Sequence, residues 1–453
     1  MTSMTSDTIC ALATPPGVAG LAIIRVSGPR SFVVCDSFFR GSVSAQQASD
    51  HTIHFGWWGE GEQRVDSVTL MIYRSPRSYT GEDVVEIGCH GGLFVADRII
   101  SDLLSAGARL AEPGEFTRRA FLNKKLDLVQ VEAVADMIHA ESYRGAQVAA
   151  RQLAGGFTER LTSFRAALLE VVGLLELELD FSEEDVEFVS RDTLRTRLLA
   201  VDHEIRQTAS SAHAASVLRS GFHVAVVGFP NAGKSSLFNA LLLRDRAIVS
   251  DVPGTTRDYI RESILMDGYT VHLVDTAGIR ETADTIELEG IAITRSLIDQ
   301  ADLVLVLNDL SQGIDHSNAL VHDLQSRYPA TPIQLVHNKV DVVDASLSPS
   351  FPVLACSAKT GSGIDSLRNA ILSHVRSSTT NVTDVLVNAR QATLLMAISD
   401  CLASVIAGLD RHASNDELAV DLRTSVRLLG EITGETWNPD VLDTVFTRFC
   451  IGK

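Results

Sequence analysis

The chain has 453 residues, 45% of them apolar and 21% charged, with a formal net charge of −18. That length accommodates roughly two to four domains, and the composition is that of an ordinary globular protein. The acidic balance argues against a chain that coats nucleic acid over its whole surface, though not against a local basic patch.

No apolar run reaches the roughly 20 residues that span a bilayer, and the first ten residues lack the basic start and apolar stretch of a secretory signal. The cysteines, at positions 10, 35, 89, 356, 401 and 450, form no CxxC pair, so neither zinc nor a disulfide framework is indicated. A cytoplasmic chain without a membrane is expected.

From Ile9 to Phe121, short runs of alternating apolar residues are punctuated by Gly and Pro: Leu21–Gly28, Val65–Pro76 and Asp83–Gly92. These read as strands and turns. With helical spacing over Phe94–Ala106, the segment predicts an α+β domain. From about Leu126 to Leu218 the texture changes. Val131, Val134 and Ile138, then Leu168, Val172, Leu175 and Leu179, recur at helical spacing, and no Pro interrupts. Long helices burying their apolar stripes are expected.

From Gly221 to Arg376 the pattern becomes strand–loop–helix, through FHVAVVG, YTVHLVD, ADLVLVLND, PIQLVHNKVD and FPVLACSA. Short apolar runs alternating with helices predict a mostly parallel sheet. SSTTNVTD, from Ser377, reads as a linker. Leu386–Leu409 and Glu417–Leu429 return to helical spacing. The expected divisions are 1–122, 123–219, 220–378 and 379–453: an α+β domain, then one all-α domain in two parts with an α/β domain inserted, as insertion at adjacent surface termini allows.

The strongest chemical signal is GFPNAGKSS, Gly228–Ser236, between the strand Phe222–Val227 and the apolar helix Leu237–Leu243. This is the setting of a phosphate-binding loop. Gly228 and Gly233 permit the tight backbone path, while Asn231, Ala232, Gly233 and Ser236 offer N–H groups at a helix N-terminus. Lys234 reaches the outer phosphates and Ser235 suits Mg²⁺. Four more pieces follow in order. Ser250–Asp258 (Ser250, Asp251, Val252, Pro253, Gly254, Thr255, Thr256 and onward) offers Thr256 as a second metal hydroxyl. Asp275, Thr276, Ala277 and Gly278 end a strand, with Asp275 suited to a water-mediated metal contact and Gly278 to the γ-phosphate. In Asn338, Lys339, Val340, Asp341, the last carboxylate accepts from guanine N1–H and its amino group, a donor pair adenine lacks. Ser357, Ala358 and Lys359 place a backbone N–H on the guanine oxygen. Together they predict a P-loop domain that binds and hydrolyses GTP.

Where Ras-like enzymes carry a Gln that orients the attacking water, this chain has Ile279, which has no polar side-chain atom. Another residue must act. Glu281, Asp284, Glu287 and Glu289 lie just downstream, each equally readable as part of a solvated helix start.

Beyond the GTPase motifs, Pro113–Leu128 (PGEFTRRAFLNKKLDL), Asp180–Val186 (DFSEEDV) and Phe449–Lys453 (FCIGK), with PNAGKSS inserted between helical segments, resemble the tRNA modification GTPase family MnmE, also called TrmE. The resemblance covers essentially the whole chain. It implies an N-terminal domain that binds a tetrahydrofolate derivative, in the 5-formyl or methylene form, and mediates a homodimer. It implies a flavin-dependent MnmG-type partner in a heterotetramer or larger assembly, and installation of an aminomethyl-type group (carboxymethylaminomethyl) on carbon 5 of the wobble uridine of certain tRNAs. The resemblance further implies that K⁺ takes the place of an arginine finger, with Asn231, Ser250, Val252 and Thr255 as ligands. It also implies that Glu287 is the water-orienting acid among the four, that folate contacts fall on Arg25, Glu82, Lys125 and Lys453, and that Cys450 is a functional thiol. Read without the resemblance, the folate residues are surface charges and Cys450 a tail cysteine. CIGK does not fit a prenylation box. Two other readings use the same GTPase core: a GTP-switched assembly factor on ribosomal RNA, and a folate-dependent aminomethyl transferase regulated by GTP. The acidic flanks, lacking a basic RNA-binding module, argue against the assembly factor.

Overall fold

The computed structural model describes residues 7–140, 142–180, 189–243, 246–247, 261–275, 297–342, 354–380, 385, 387–447, 449 and 451–453. Its contacts divide the chain into two compact units, Met1–Ala135 with Gln152–His203 and Ala397–Lys453, and Asp136–Arg151 with Glu204–Met396.

The first unit holds a seven-stranded sheet of β1 (Ile9–Leu12), β2 (Ala19–Ser27), β3 (Phe39–Gly41), β4 (Thr52–Trp58), β5 (Asp66–Tyr73), β6 (Val84–Gly91) and β7 (Arg109–Leu110), in the order β3-β4-β5-β6-β2-β1-β7. Neighbours are antiparallel except β1 and β7. Period-two alternation sends Ile24, Val26, Leu70, Ile72 and Ile87 to one face, where the helix Leu93–Ser105 covers them with Ala96, Ile99 and Leu103. The other face keeps Ile53 68% and Phe55 64% exposed.

Helical segments from distant parts of the chain complete this unit. Gly156–Asp180 packs along Asn415–Thr433, where Arg423 pairs with Glu176 at 2.6 Å and Asn415 donates to Glu178 at 2.9 Å. Phe121, Leu128 and Val131 share a core with Leu442, Phe446 and Phe449. Gly114, at the N-terminus of the helix Glu115–Leu122, has φ 71°, and a Cβ there would stand 2.9 Å from the Phe446 carbonyl. Glycine in the PGEF motif thus serves both backbone shape and close packing.

The helix Ala389–Asp410 is long and apolar enough, by length and composition, to cross a membrane, although Arg390, Gln391 and Asp400 interrupt its apolar run. Leu395, Ile398, Leu402 and Val405 are buried, and Ser399 donates to Asp202.

The second unit carries β8 (Phe222–Gly228), β9 (Arg246–Ala247), β10 (Arg261–Met266), β11 (Tyr269–Asp275), β12 (Leu303–Asp309), β13 (Ile333–Asn338) and β14 (Leu354–Ala355), in the order β14-β13-β12-β8-β11-β10-β9. Pairing is parallel from β14 to β11 and antiparallel at β10 and β9. Both faces are covered, so the strands are nearly continuously apolar. Val224, Val226 and Leu305 meet Leu237, Leu241 and Ile371 on one side, while Ala225, Val304 and Val306 meet Ile298 and Leu324 on the other. Neighbours run to either side of β8, which makes its carboxyl end the switch point where α/β sheets bind ligands. The helix Ile364–Thr379 continues into the segment read as a linker from Ser377.

Candidate functional site

β8 delivers the chain into a phosphate loop, followed by the helix Lys234–Leu242. Gly228 passes close beneath β12: a Cβ there would lie 2.4 Å from the Leu307 carbonyl. Asn231 has φ 64° and Gly233 φ 92°, so the loop turns through left-handed positions that aim successive N–H groups inward. Lys234 is buried, with Nζ donating to the carbonyls of Gly228 at 2.9 Å and Phe229 at 3.2 Å. Its ammonium therefore lies within the curl of the loop, at the positive end of the helix dipole. Asn231 and Ser235 are both exposed. A hydroxyl at the first turn of this helix is a hard oxygen donor that fits Mg²⁺, and the Asn231 amide oxygen fits a monovalent cation.

A cavity of about 650 Å³ adjoins this loop, lined among others by Gly233, Ser236, Asn338, Asp341, Ser357 and Lys359. Asn338 is buried at its wall. Its Nδ2 donates to the Ala232 carbonyl at 2.9 Å, and its Oδ1 accepts from the Ala358 N–H at 3.0 Å. One amide thereby joins three sequence motifs. A Cβ on Gly233 would lie 2.4 Å from Asn338 Nδ2, so the glycine is needed for this approach. The Asp341 carboxyl is held below its usual range, first by a hydrogen bond from the Ser357 side chain and further by the charges of Lys359 and Lys339. It stays an ionised acceptor at neutral pH. Lys339 pairs with Asp309 at 2.7 Å. Burial raises the Asp309 pKa, but bonds from Lys339 and Ser311 outweigh that and hold it low.

In the first unit, Arg25 pairs with Glu86 at 2.8 Å. Its guanidinium lies 5.0 Å from the Tyr79 ring centroid, and it reaches the Gly452 carbonyl at 3.4 Å. Lys453 Nζ sits 5.8 Å from the same ring. Burial, then the Arg25 charge, push the Lys453 pKa down. Glu82 accepts from Ser27 Oγ at 2.7 Å and from Arg119 at 3.1 Å. Lys125 donates to the Pro76 carbonyl at 3.1 Å. The segment Pro76–Glu82 therefore contains Glu82, bonds Lys125 at Pro76 and sets the Tyr79 ring beside Arg25 and Lys453, and the four belong to one compact unit. A ligand with a negatively charged end and ring amide groups suits these cations and the Glu82 carboxylate.

Sequence reasoning missed several members of this site. Tyr79 stands beside both cations. Arg119, 3% exposed, binds Asp7 at 2.7 Å and Glu115 at 2.9 Å as well as Glu82. Arg119 lies inside the quoted PGEFTRRAF motif, the one signal that could have found it. Asp309 was also missed.

Several expected residues lie outside the described residues: Ser250 to Thr256 (including Asp251, Val252, Pro253, Gly254 and Thr255), Thr276, Ala277, Gly278, Ile279, the acids Glu281, Asp284, Glu287 and Glu289, and Cys450. Asp275 ends β11 beside Val226 of β8, which brings its backbone to the phosphate-loop end of the sheet.

Residues 8–125 match the family model described as GTP-binding protein TrmE N-terminus, and residues 128–450 match that of the MnmE helical domain. Curated relatives share the full length. The chain is 40% identical to the tRNA modification GTPase MnmE of Christiangramia forsetii, covering 99% of both chains. It is 41% identical to that of Porphyromonas gingivalis, covering 100% of this chain and 99% of the relative. Among solved structures, the G domain of the T. maritima FeoB iron transporter aligns with 34% of this chain and 98% of its own at 27% identity, with a TM-score of 0.25.

Proposed function

The chain belongs to the MnmE family of tRNA modification GTPases, and on that premise we propose that it is a potassium-activated GTP hydrolase serving carboxymethylaminomethyl-type modification of wobble uridine. The observation that carries this reading is the Asn338 amide, which ties the phosphate loop at Ala232 to the base loop at Ala358 beside the ionised Asp341. A guanine nucleotide needs both halves at once: phosphate donors at one end and a carboxylate for its N1–H and amino group at the other.

In this reading the N–H groups of the phosphate loop, with Lys234, bind the β- and γ-phosphates. Ser235 and Thr256 would hold Mg²⁺; Asn231, Ser250, Val252 and Thr255 would hold K⁺. Bound there, the cations supply positive charge against the charge that develops on the transferred phosphoryl group. Glu287 orients the attacking water, since Ile279 has no atom for it. Hydrolysis yields GDP and phosphate.

The N-terminal domain, 1–122, takes a 5-formyl or methylene tetrahydrofolate through Arg25, Glu82, Lys125 and Lys453 as the one-carbon source. Cys450 serves as a functional thiol in the modification chemistry. The other domains are 123–219 and 379–453, together helical, and 220–378, the GTPase. The exposed apolar sheet face at Ile53 and Phe55 supports pairing with a second copy of the chain. A flavin-dependent MnmG-type subunit completes the cytoplasmic assembly on tRNA.

GTP hydrolysis by the purified chain, measured in matched KCl and NaCl, tests the cation assignment. Much faster turnover in KCl is the expected result; equal rates would refute it.

A further inference from the structure

The helix Glu115–Leu122 ends in a Schellman turn. The Lys124 N–H donates to the Phe121 carbonyl at 3.0 Å, and the Lys125 N–H to the Ala120 carbonyl at 2.8 Å. The residue at the left-handed position of such a turn is usually Gly, sometimes Asn. Here it is Lys124, with φ 58°. A long side chain is strained there without any packing gain evident among the described contacts. Strain kept at a defined position points to use. Lysine near a helix C-terminus does complement the dipole, but that benefit is available anywhere in the last turn and does not require the left-handed residue.

The surroundings point to what it does. Lys124 and its neighbour Lys125 are both exposed. The Lys125 ammonium is bonded to the Pro76 carbonyl, immediately before Arg77, whose side chain is 75% exposed. The Lys125 stem lies against Gly81, where a Cβ would be 3.1 Å from its Cγ. Arg77 is paired with Asp50, but Glu82 is already bound by Arg119 and Ser27, and Asp83 accepts from the Ser75 N–H. Arg77 and Lys125 thus present exposed cations on the segment that meets Arg25 and Lys453 at Tyr79, and the exposed Lys124 adjoins Lys125 in the chain. In a chain of net charge −18, such a cluster is where an extended polyanion can be held.

We propose that Lys124, with Lys125 and Arg77, forms a phosphodiester-binding rim that seats the tRNA backbone beside the N-terminal pocket. This rests on the tRNA reading above. Rim lysines and arginines position the RNA without reading its sequence.

The test is binding of the full chain to a tRNA transcript with an unmodified wobble uridine, across a KCl series. Lys124→Gly should lower the slope of log affinity against log salt by about 1, and a double variant with Arg77→Gln by about 2. Lys124→Arg should keep the slope. Lys124→Gly should also unfold at the same or a higher temperature, because glycine relieves the left-handed strain. Lost RNA affinity without lost stability separates phosphate binding from a structural role. Unchanged slopes in both variants, with wild type binding normally, would overturn the rim alone. Weakened binding of a polyglutamyl tetrahydrofolate with tRNA binding unchanged would also overturn it, assigning the rim to the small molecule's anionic tail. Wild-type chain that bound no tRNA at any salt would overturn the rim and the tRNA reading together.

Discussion

Asn338 Nδ2 lies 2.9 Å from the Ala232 carbonyl, so the end of β13 is bonded directly to the phosphate loop of β8. The amide oxygen of the same side chain holds Ala358. Asn338→Ala leaves those buried groups without this partner, at a cost of about 1–3 kcal/mol. Affinity for GTP and GDP should fall together, by roughly 5- to 150-fold, in a fluorescent-nucleotide titration. A loss confined to GTP would place the effect at the γ-phosphate and contradict this geometry.

Base choice rests on Asp341. Its ionised carboxylate can accept two donors from guanine, while Asn presents one acceptor and one donor. Asp341→Asn should weaken GTP binding roughly a hundredfold and improve binding of xanthosine triphosphate, which carries an oxygen in place of the guanine amino group. Competition titrations with both nucleotides read this. Unaltered preference for GTP would mean that guanine is recognised elsewhere.

These nucleotide elements were legible in the sequence because each is contiguous. GFPNAGKSS, NKVD and SAK are short runs fixed to strand ends, and the period-two and 3.6-residue patterns located most of the elements that carry them. The ionic cluster around the buried Glu115 and Arg119 of the first unit was not legible. Asp7, Glu82, Arg109, Glu115 and Arg119 come from separate segments, and only the sheet and the helix Glu115–Leu122 bring them together. Tyr79 gave no signal either, since an isolated aromatic residue between turn residues reads as ordinary packing. FCIGK is contiguous, but nothing local in it shows that Gly452 lies against β1, where a Cβ would be 2.2 Å from the Leu12 carbonyl.

The cluster gives the first unit an acid limit. Burial raises the Glu115 pKa, but hydrogen bonds from Arg109, the Glu112 N–H and Arg119 outweigh it, so the net shift is downward from 4.5. A depressed folded-state pKa contributes stability that is complete above the unfolded value and lost as pH falls through the folded one. Resistance to urea should therefore decline below about pH 4.5. Glu115→Gln should remove much of that dependence. At pH 7 it should cost about 1–3 kcal/mol by weakening the charge-assisted bonds that Arg109 and Arg119 make to it, since Arg119 keeps Glu82 and Asp7. A variant as stable as wild type at pH 7 would contradict this account.

Gly114→Ala tests the packing of the PGEF turn. The substitution places a Cβ 2.9 Å from the Phe446 carbonyl on a backbone with φ 71°. A loss of about 1–3 kcal/mol is expected from denaturant titration. Guanine-nucleotide affinity should be unaffected. No loss of stability would mean that the helix Pro439–Phe446 shifts at little cost.

GTP hydrolysis by this chain in the service of wobble-uridine modification is tested by mass analysis of wobble nucleosides from cells lacking the chain, complemented with wild type or with Asp341→Asn. Carboxymethylaminomethyl-type uridines should disappear, return with wild type and fail to return with Asp341→Asn. Intact modification in cells lacking the chain would contradict it.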